Sequence, residues 1–198
     1  MFNSRIAFTT AVAAFVLAAC SSTALKDSWK DPAFTGPTYK QVLVLGVSNS
    51  DSARRVFEDG FSNALKAVGT GSTSSYNVLA GGSVSNVQLA DAMAKTNSDA
   101  ALITRVLRVK KDVQVTPGFA GPGFYGRGYG GYYGGAWASA PDVNVYDVLT
   151  IESTLWNMRT DKPVWSGTSE MTAPSSVAKA SNELAAVLIA KMKADGVI

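Results

Sequence analysis

Histidine is absent from the 198 residues, and cysteine occurs once, as Cys20. The first absence excludes Ser-His-Asp and Cys-His catalysis and removes the commonest transition-metal ligand. The second excludes a disulfide within the chain and, if Cys20 is modified, leaves no thiol for catalysis. Charge is scarce at the start, where Arg5 is the only charged residue before Lys26. Neither sign dominates: 18 Lys and Arg stand against 15 Asp and Glu. The basic residues are scattered apart from Arg54-Arg55 and Lys110-Lys111, so no stripe for nucleic acid forms and no nucleic-acid partner is expected. No catalytic, phosphate-loop or metal-ligand motif is present, so neither an enzyme nor a cofactor is expected. Carboxylate or Ser-Lys chemistry remains formally open.

What the amino terminus does contain is a pattern. Arg5 precedes a mostly apolar stretch at residues 6–17, short of the roughly 20 residues a membrane-spanning helix needs. A short positive region followed by about a dozen apolar residues has the form of a secretory signal. Leu17-Ala18-Ala19-Cys20 then resembles the lipobox of bacterial lipoproteins, with small residues before the cysteine and polar Ser21-Ser22 after it. The resemblance implies a signal peptide at 1–19, cleavage before Cys20, and lipidation of Cys20 with a diacylglyceryl group and commonly a third chain, such as palmitate. Two or more acyl chains hold a protein stably on a membrane, where one holds it marginally. In envelopes with two membranes Asp after the cysteine retains such proteins on the inner one, so Ser21 implies the outer membrane, facing the periplasm. The competing readings are a plain secretory signal with an incidental cysteine and a buried apolar helix.

From Cys20 onward about 180 residues remain, enough for one domain with a real core. Residues 20–39 are polar and broken by Pro32, Gly36 and Pro37, and read as a lipidated tether in which the lone Trp29 packs back onto the domain. Residues 40–198 read as an α/β domain. The unbroken apolar run Val42-Leu43-Val44-Leu45 predicts a strand buried on both faces. Residues 48–51 offer N-cap chemistry for a helix carrying Val56, Phe57, Phe61 and Leu65, with Arg54, Arg55, Glu58 and Asp59 mostly on its other side and a stop at Gly69. They lack the glycine spacing of a phosphate loop.

A short strand is expected at residues 76–79, then a helix capped by Ser85 or Asn86, then a strand from Ala100 that grows more polar past Val106. Period-two alternation places Leu149, Ile151, Ser153 and Leu155 on one face of a long strand. Val164 to Met171 return as the next strand, with Trp156 and Trp165 expected to meet across the hairpin. A final helix starts near Ser176 with Leu184, Leu188 and Met192 on its buried stripe. The order β-α-β-α-β-β-β-α predicts a single two-layer α/β sandwich on a mixed sheet.

Between the two long strands lies an insertion, residues 116–141. Nine of the eighteen glycines fall at 118–135, interleaved with Phe119, Phe124, Tyr125, Tyr129, Tyr132 and Tyr133, and Trp137 follows. Such glycine density makes fixed backbone entropically costly, so a flexible hairpin-tip loop is expected. Tyr129, Tyr132, Tyr133 and Trp137 are the candidate partner-binding residues, since aromatic rings stack on sugars, Arg side chains or a lipid interface.

The lipobox, Trp29-Lys30-Asp31-Pro32, residues 40–47, the Arg54-Arg55-Val56-Phe57-Glu58-Asp59 run and the 156–165 hairpin together resemble a family of small, largely uncharacterised proteobacterial lipoproteins. The strand and helix order is also similar to the amino-terminal domain of the Tol-Pal translocation protein TolB and to the lipoprotein activators of penicillin-binding proteins. The insertion departs from both. The expected function is that of a non-catalytic envelope lipoprotein docking on an envelope protein or on peptidoglycan. The alternatives are a small-ligand-binding lipoprotein using the strand ends near residues 48–51, and a His-free hydrolase using Asp or Glu. An apolar cleft would favour the ligand binder, and converging carboxylates in a polar pocket would favour the enzyme.

Overall fold

The computed structural model describes residues 22–80, 84–116, 142–157, 159–172 and 174–198. Its six strands are β1 (Thr23–Lys30), β2 (Gln41–Val47), β3 (Gly71–Ser74), β4 (Ala100–Thr116), β5 (Asp142–Asn157) and β6 (Lys162–Thr172). They form one sheet in the order β1-β6-β5-β4-β2-β3. The pairs β1/β6, β6/β5 and β5/β4 are antiparallel, while β4/β2 and β2/β3 are parallel. Among the described residues three helices accompany it: α1 (Asp51–Ala67), α2 (Asn86–Thr96) and α3 (Val177–Ala194). The α/β sandwich on a mixed sheet expected from the pattern is therefore what forms.

Each helix starts where a side chain satisfies its free backbone N–H groups. Ser50, Ser85 and Ser176 accept hydrogen bonds from the backbones of Ala53, Gln88 and Lys179 at 3.2, 3.3 and 3.2 Å. Gln88 completes a capping box at α2. Gly69, at φ +90°, follows α1 in the left-handed region that a terminating residue needs.

The apolar run of β2 is buried on both sides because helices cover both sides. Val42 and Val44 join Phe61, Leu65, Leu102, Ile151, Leu155, Trp165, Leu184 and Leu188 in the main core beneath α1 and α3. Leu43 and Leu45 join Leu89, Ala92 and Met93 beneath α2, in a smaller core on the opposite face. A third layer thus covers the parallel end of the sheet.

Several sequence expectations are corrected. Residues 23–30 do not form part of a tether. They make an edge strand whose Thr23 lies opposite Met171 and whose Trp29 lies opposite Ser166. The backbone groups of β6 would otherwise stand unpaired, and the charged Lys26, Asp27 and Lys30 that make the segment read as linker suit an exposed edge. Trp29 stays 46% exposed rather than burying itself. The short strand lies at Gly71–Ser74, and Ser75–Asn77 form a 3-10 turn. Arg54 and Glu58 face inward, at 5% and 0% exposure. The hairpin register sets Leu155, not Trp156, against Trp165, and a register shift after Leu155 puts Trp156 opposite Pro163.

The long β4/β5 pairing outruns its neighbours. Pairing to β2 ends at Arg105, and pairing of β5 to β6 begins at Val148. Beyond those points the two strands continue as a ribbon to the pair Thr116 and Asp142. Val109, Val113 and Val145 on the ribbon are exposed.

Candidate binding cleft

The parallel strand β2 stops at Val47 while β4 and β5 run on, and α1 and α3 both begin at this same end of the sheet. The two helices press together one to two turns further in. Ser181 Oγ donates to the Phe57 carbonyl at 2.9 Å, and a Cβ on Gly60 would come within 2.7 Å of Ser181 Oγ, so glycine permits the approach. From that contact toward the helix N-termini lies a cleft of about 420 Å³. Gly46, Val47 and Ser48 of the β2 end, Ala53 and Phe57 of α1, and Val177, Ala180 and Leu184 of α3 line it. Thr104, Val106, Leu149, Ile151 and Met171 of the sheet form its floor.

The polar groups around it are engaged in holding the fold. Ser48 Oγ accepts from the Ser50 backbone at 3.1 Å and Ser176 Oγ caps α3. Thr104 and Ser153 share a hydroxyl hydrogen bond of 2.8 Å. Two arginines, Arg54 and Arg105, also line the cleft, and each has a carboxylate partner. Arg105 reaches Glu152 at 2.7 Å on the sheet surface. Arg54 Nε donates to Glu58 at 2.9 Å, and its Nη2 donates to Ser75 Oγ at 3.0 Å and to the Leu79 carbonyl at 3.3 Å. Glu58 in turn accepts from the Gly46 backbone at 3.0 Å, from Ser75 Oγ at 2.8 Å and from the Tyr76 backbone at 2.9 Å. This buried network fastens α1 to the end of β2 and to the turn after β3. No carboxylate and no lysine lines the cleft among the described residues.

A second hollow, of about 430 Å³, is lined by Ala90, Met93, Ser98, Asp99 and Arg159. Its carboxylate is structural, since Asp99 accepts from the backbones of Lys40 and Gln41 at 2.9 and 3.1 Å. Among the described residues no group of three or more His, Cys, Asp or Glu side chains is placed to hold a metal ion. No helix among them is long and apolar enough to cross a membrane.

Of the sequence candidates, Ser48 lines the cleft, Ser50 caps α1, and Asp51 pairs with Arg55 at 2.9 Å. Cys20, Tyr129, Tyr132, Tyr133 and Trp137, with residues 117–141 generally, lie outside the described residues. The α3 wall and Met171 were not legible from sequence. Val177, on one helical face with Leu184 and Leu188 by spacing, is 43% exposed at the cleft rim.

At the amino-terminal edge Glu183 of α3 holds the chain down. Its Oε2 accepts from Ser22 Oγ at 2.6 Å and from Thr23 Oγ1 at 3.1 Å. The Ser22 hydroxyl is the main cause of a carboxyl pKa below the ordinary value, helped by Thr23 and Lys179. The other end of α3 is tied to β6 by Trp165, whose indole N–H donates to Asp195 at 2.8 Å. Burial pushes the Asp195 carboxyl upward, but the Lys191 and Trp165 hydrogen bonds outweigh it and leave the pKa lowered.

Neither a protein-family model nor a curated protein sequence matches the chain. Solved structures similar to it include the PelC dodecamer from Paraburkholderia phytofirmans, at 16% identity and a TM-score of 0.45 over 84% of this chain and 94% of that one. The lipoprotein GNA1162 from Neisseria meningitidis is similar at 14% identity and a TM-score of 0.42, over 80% and 99%. A DUF330 protein from Xanthomonas campestris is similar at 14% identity and a TM-score of 0.35, over 84% and 87%. At these identities and TM-scores no activity or partner passes from those proteins to this chain.

Proposed function

We propose that the chain is a lipid-anchored envelope protein that acts by binding, without turnover, and that the cleft between α1 and α3 takes a small apolar ligand. The lipobox at Cys20 supports the anchor, and Ser21 supports placement on the outer membrane, facing the periplasm. The observation that carries the binding site is the cleft itself. It opens at the carboxyl end of the parallel strand β2, beside the stretch of β4 where that pairing stops, and strand ends of open α/β sheets commonly bind ligands. Its walls present Phe57, Leu149, Ile151, Met171 and Val177, while the hydroxyls around it are bonded within the protein. Such a site favours apolar groups, because a polar ligand would lose hydration with few free partners to replace it. The two arginines that line it are paired with Glu58 and Glu152, and among the described residues no free acid or base is aimed into it for hydrolysis.

Titration of the purified protein with an environment-sensitive apolar fluorophore tests this reading. Saturable binding should fall at least tenfold in Ala180→Leu, which fills the cleft, while the melting temperature stays within a few degrees. Binding unaffected by that substitution would place the probe elsewhere and remove the cleft as the site.

A second reading, docking on an envelope protein or on peptidoglycan, is favoured by the exposed valines of the projecting ribbon. In-cell crosslinking from Val109 and Val113 would support it by capturing one partner or murein fragment reproducibly. Loss of that capture on changing both to Thr would assign it to the ribbon.

A further inference from the structure

We infer that the cleft holds an acyl chain of the protein's own lipidated Cys20. The inference rests on the binding reading above and on lipidation of that cysteine, and it names the ligand.

Position is the first argument. β1 begins only three residues after Cys20, so the anchor joins the sheet almost directly. Thr23 lies opposite Met171, and Met171 lies opposite Leu149, in one line across β1, β6 and β5. Met171 and Leu149 are both cleft residues. Two strand spacings separate Thr23 from Leu149, about 10 Å. Glu183, which holds Ser22 and Thr23, precedes Leu184 and follows Ala180 by three positions on α3, and both of those residues line the cleft. Cys20 is two residues before Ser22, a reach of about 7 Å of chain. An acyl chain spans half of a hydrocarbon core, about 15 Å. A chain leaving Cys20 can therefore pass the start of α3 and enter the cleft.

Fit is the second argument. If a methylene needs about the 30 Å³ that a water takes in the liquid, the volume of about 420 Å³ admits an acyl segment of about fourteen carbons. The lining is chemically suited, with aromatic, aliphatic and thioether surface and no unpaired charge among the described residues. One chain withdrawn from a three-chain anchor leaves two in the bilayer, which still suffices for stable attachment. The domain is then held with its cleft end toward the membrane.

The test is metabolic labelling of cells producing the full-length protein with a diazirine fatty acid, followed by irradiation and peptide mapping. Crosslinks should join the lipid-bearing amino-terminal peptide to peptides of α1 and α3 within the same molecule. They should fall at least fivefold in Val177→Trp, which plugs the cleft rim, with acylation of Cys20 and the melting temperature unchanged. The smaller Ala180→Leu substitution provides the same readout should the tryptophan variant not fold. Crosslinks only to surrounding lipid or to other proteins would overturn the inference. Crosslinks from a separately supplied diazirine phospholipid, without any from the Cys20 chains, would overturn it while leaving the cleft as an acyl site. Failure of Cys20 to acquire label would overturn it through the anchor and leave the fluorophore result standing.

Discussion

Two arginines side by side on α1 make the same kind of ion pair in opposite surroundings. Arg55 reaches Asp51 at 2.9 Å with both side chains more than half exposed, and Arg54 reaches Glu58 at 2.9 Å with exposures of 5% and 0%. Water screens the first pair, so Arg55→Met should cost only about 0.3–0.5 kcal/mol, with a further small loss from its cation–π contact with Tyr76. Arg54→Met is a different perturbation. It removes the Nε bond to Glu58 and the Nη2 bonds to Ser75 and to the Leu79 carbonyl, and leaves a buried carboxylate without its counter-charge. Breaking a buried pair in this way costs about 3–5 kcal/mol. Glu58 keeps three hydrogen-bond donors, from Gly46, Ser75 and Tyr76, so the lower half of that range is expected. Urea unfolding of the purified protein, read as the shift in midpoint at constant slope, separates the two variants. The double variant Arg54→Met, Glu58→Met should lose less than the sum of the two single losses, because no charge is then stranded. Equal, small shifts for Arg54→Met and Arg55→Met would refute the claim that this network fastens α1 to the sheet.

Two further outcomes follow from the same geometry. In Gly167→Ala the new methyl would meet the Trp165 ring at 2.5 Å, and that ring is fully buried and held by Asp195. The substitution should destabilise by about 1–3 kcal/mol, although Ala is otherwise the better strand residue, and an unchanged thermal midpoint would show that the ring can move. Glu183 has a folded pKa below its unfolded value, so its contribution is present above the ordinary Glu pKa of about 4.3 and is lost as pH falls from there through the folded value. Amide protection at the start of β1, taken relative to the intrinsic exchange rate at each pH, should fall across that window in the native protein and not in Glu183→Gln. Identical pH profiles for the two would remove Glu183 as the clamp.

Legibility from sequence followed burial. β2 announced itself because four consecutive apolar residues are covered on both faces, and β5 because Ile151, Ser153 and Leu155 alternate inward. β1 was hidden, since of its eight residues only Thr23 is buried and Leu25 alone packs as a partly buried hydrophobic on the core. Its stability comes from backbone pairing with β6, which leaves no mark on side-chain pattern. Arg54 and Glu58 were misplaced for a related reason. Their spacing is that of any surface pair on a helix, and only the arrival of Ser75 and Tyr76 beside them, set by the parallel β3, encloses them. The cleft was half legible. Residues 48–51 pointed to the strand end, but the α3 and β6 walls join it through contacts more than a hundred residues away in sequence.

The edge strand limits what a lipid anchor on Cys20 would allow. A tether of residues 20–39, about 20 residues, would let the domain roam tens of ångströms from the membrane, reaching roughly 60 Å when extended. With β1 paired from Thr23, at most three residues intervene, about 10 Å of chain. The same end of the sheet carries the mouth of the cleft, the N-termini of α1 and α3, and the ribbon of β4 and β5. From the level of Leu149, which shares a line with Thr23, β5 continues back to Asp142, seven residues or about 24 Å. That exceeds the span of the anchor segment. A domain lipidated at Cys20 therefore cannot stand upright on its anchor with the ribbon wholly in water: it must lean, or the ribbon must contact the membrane surface. If Cys20 is lipidated, either geometry brings the exposed Val109, Val113 and Val145 near the membrane surface.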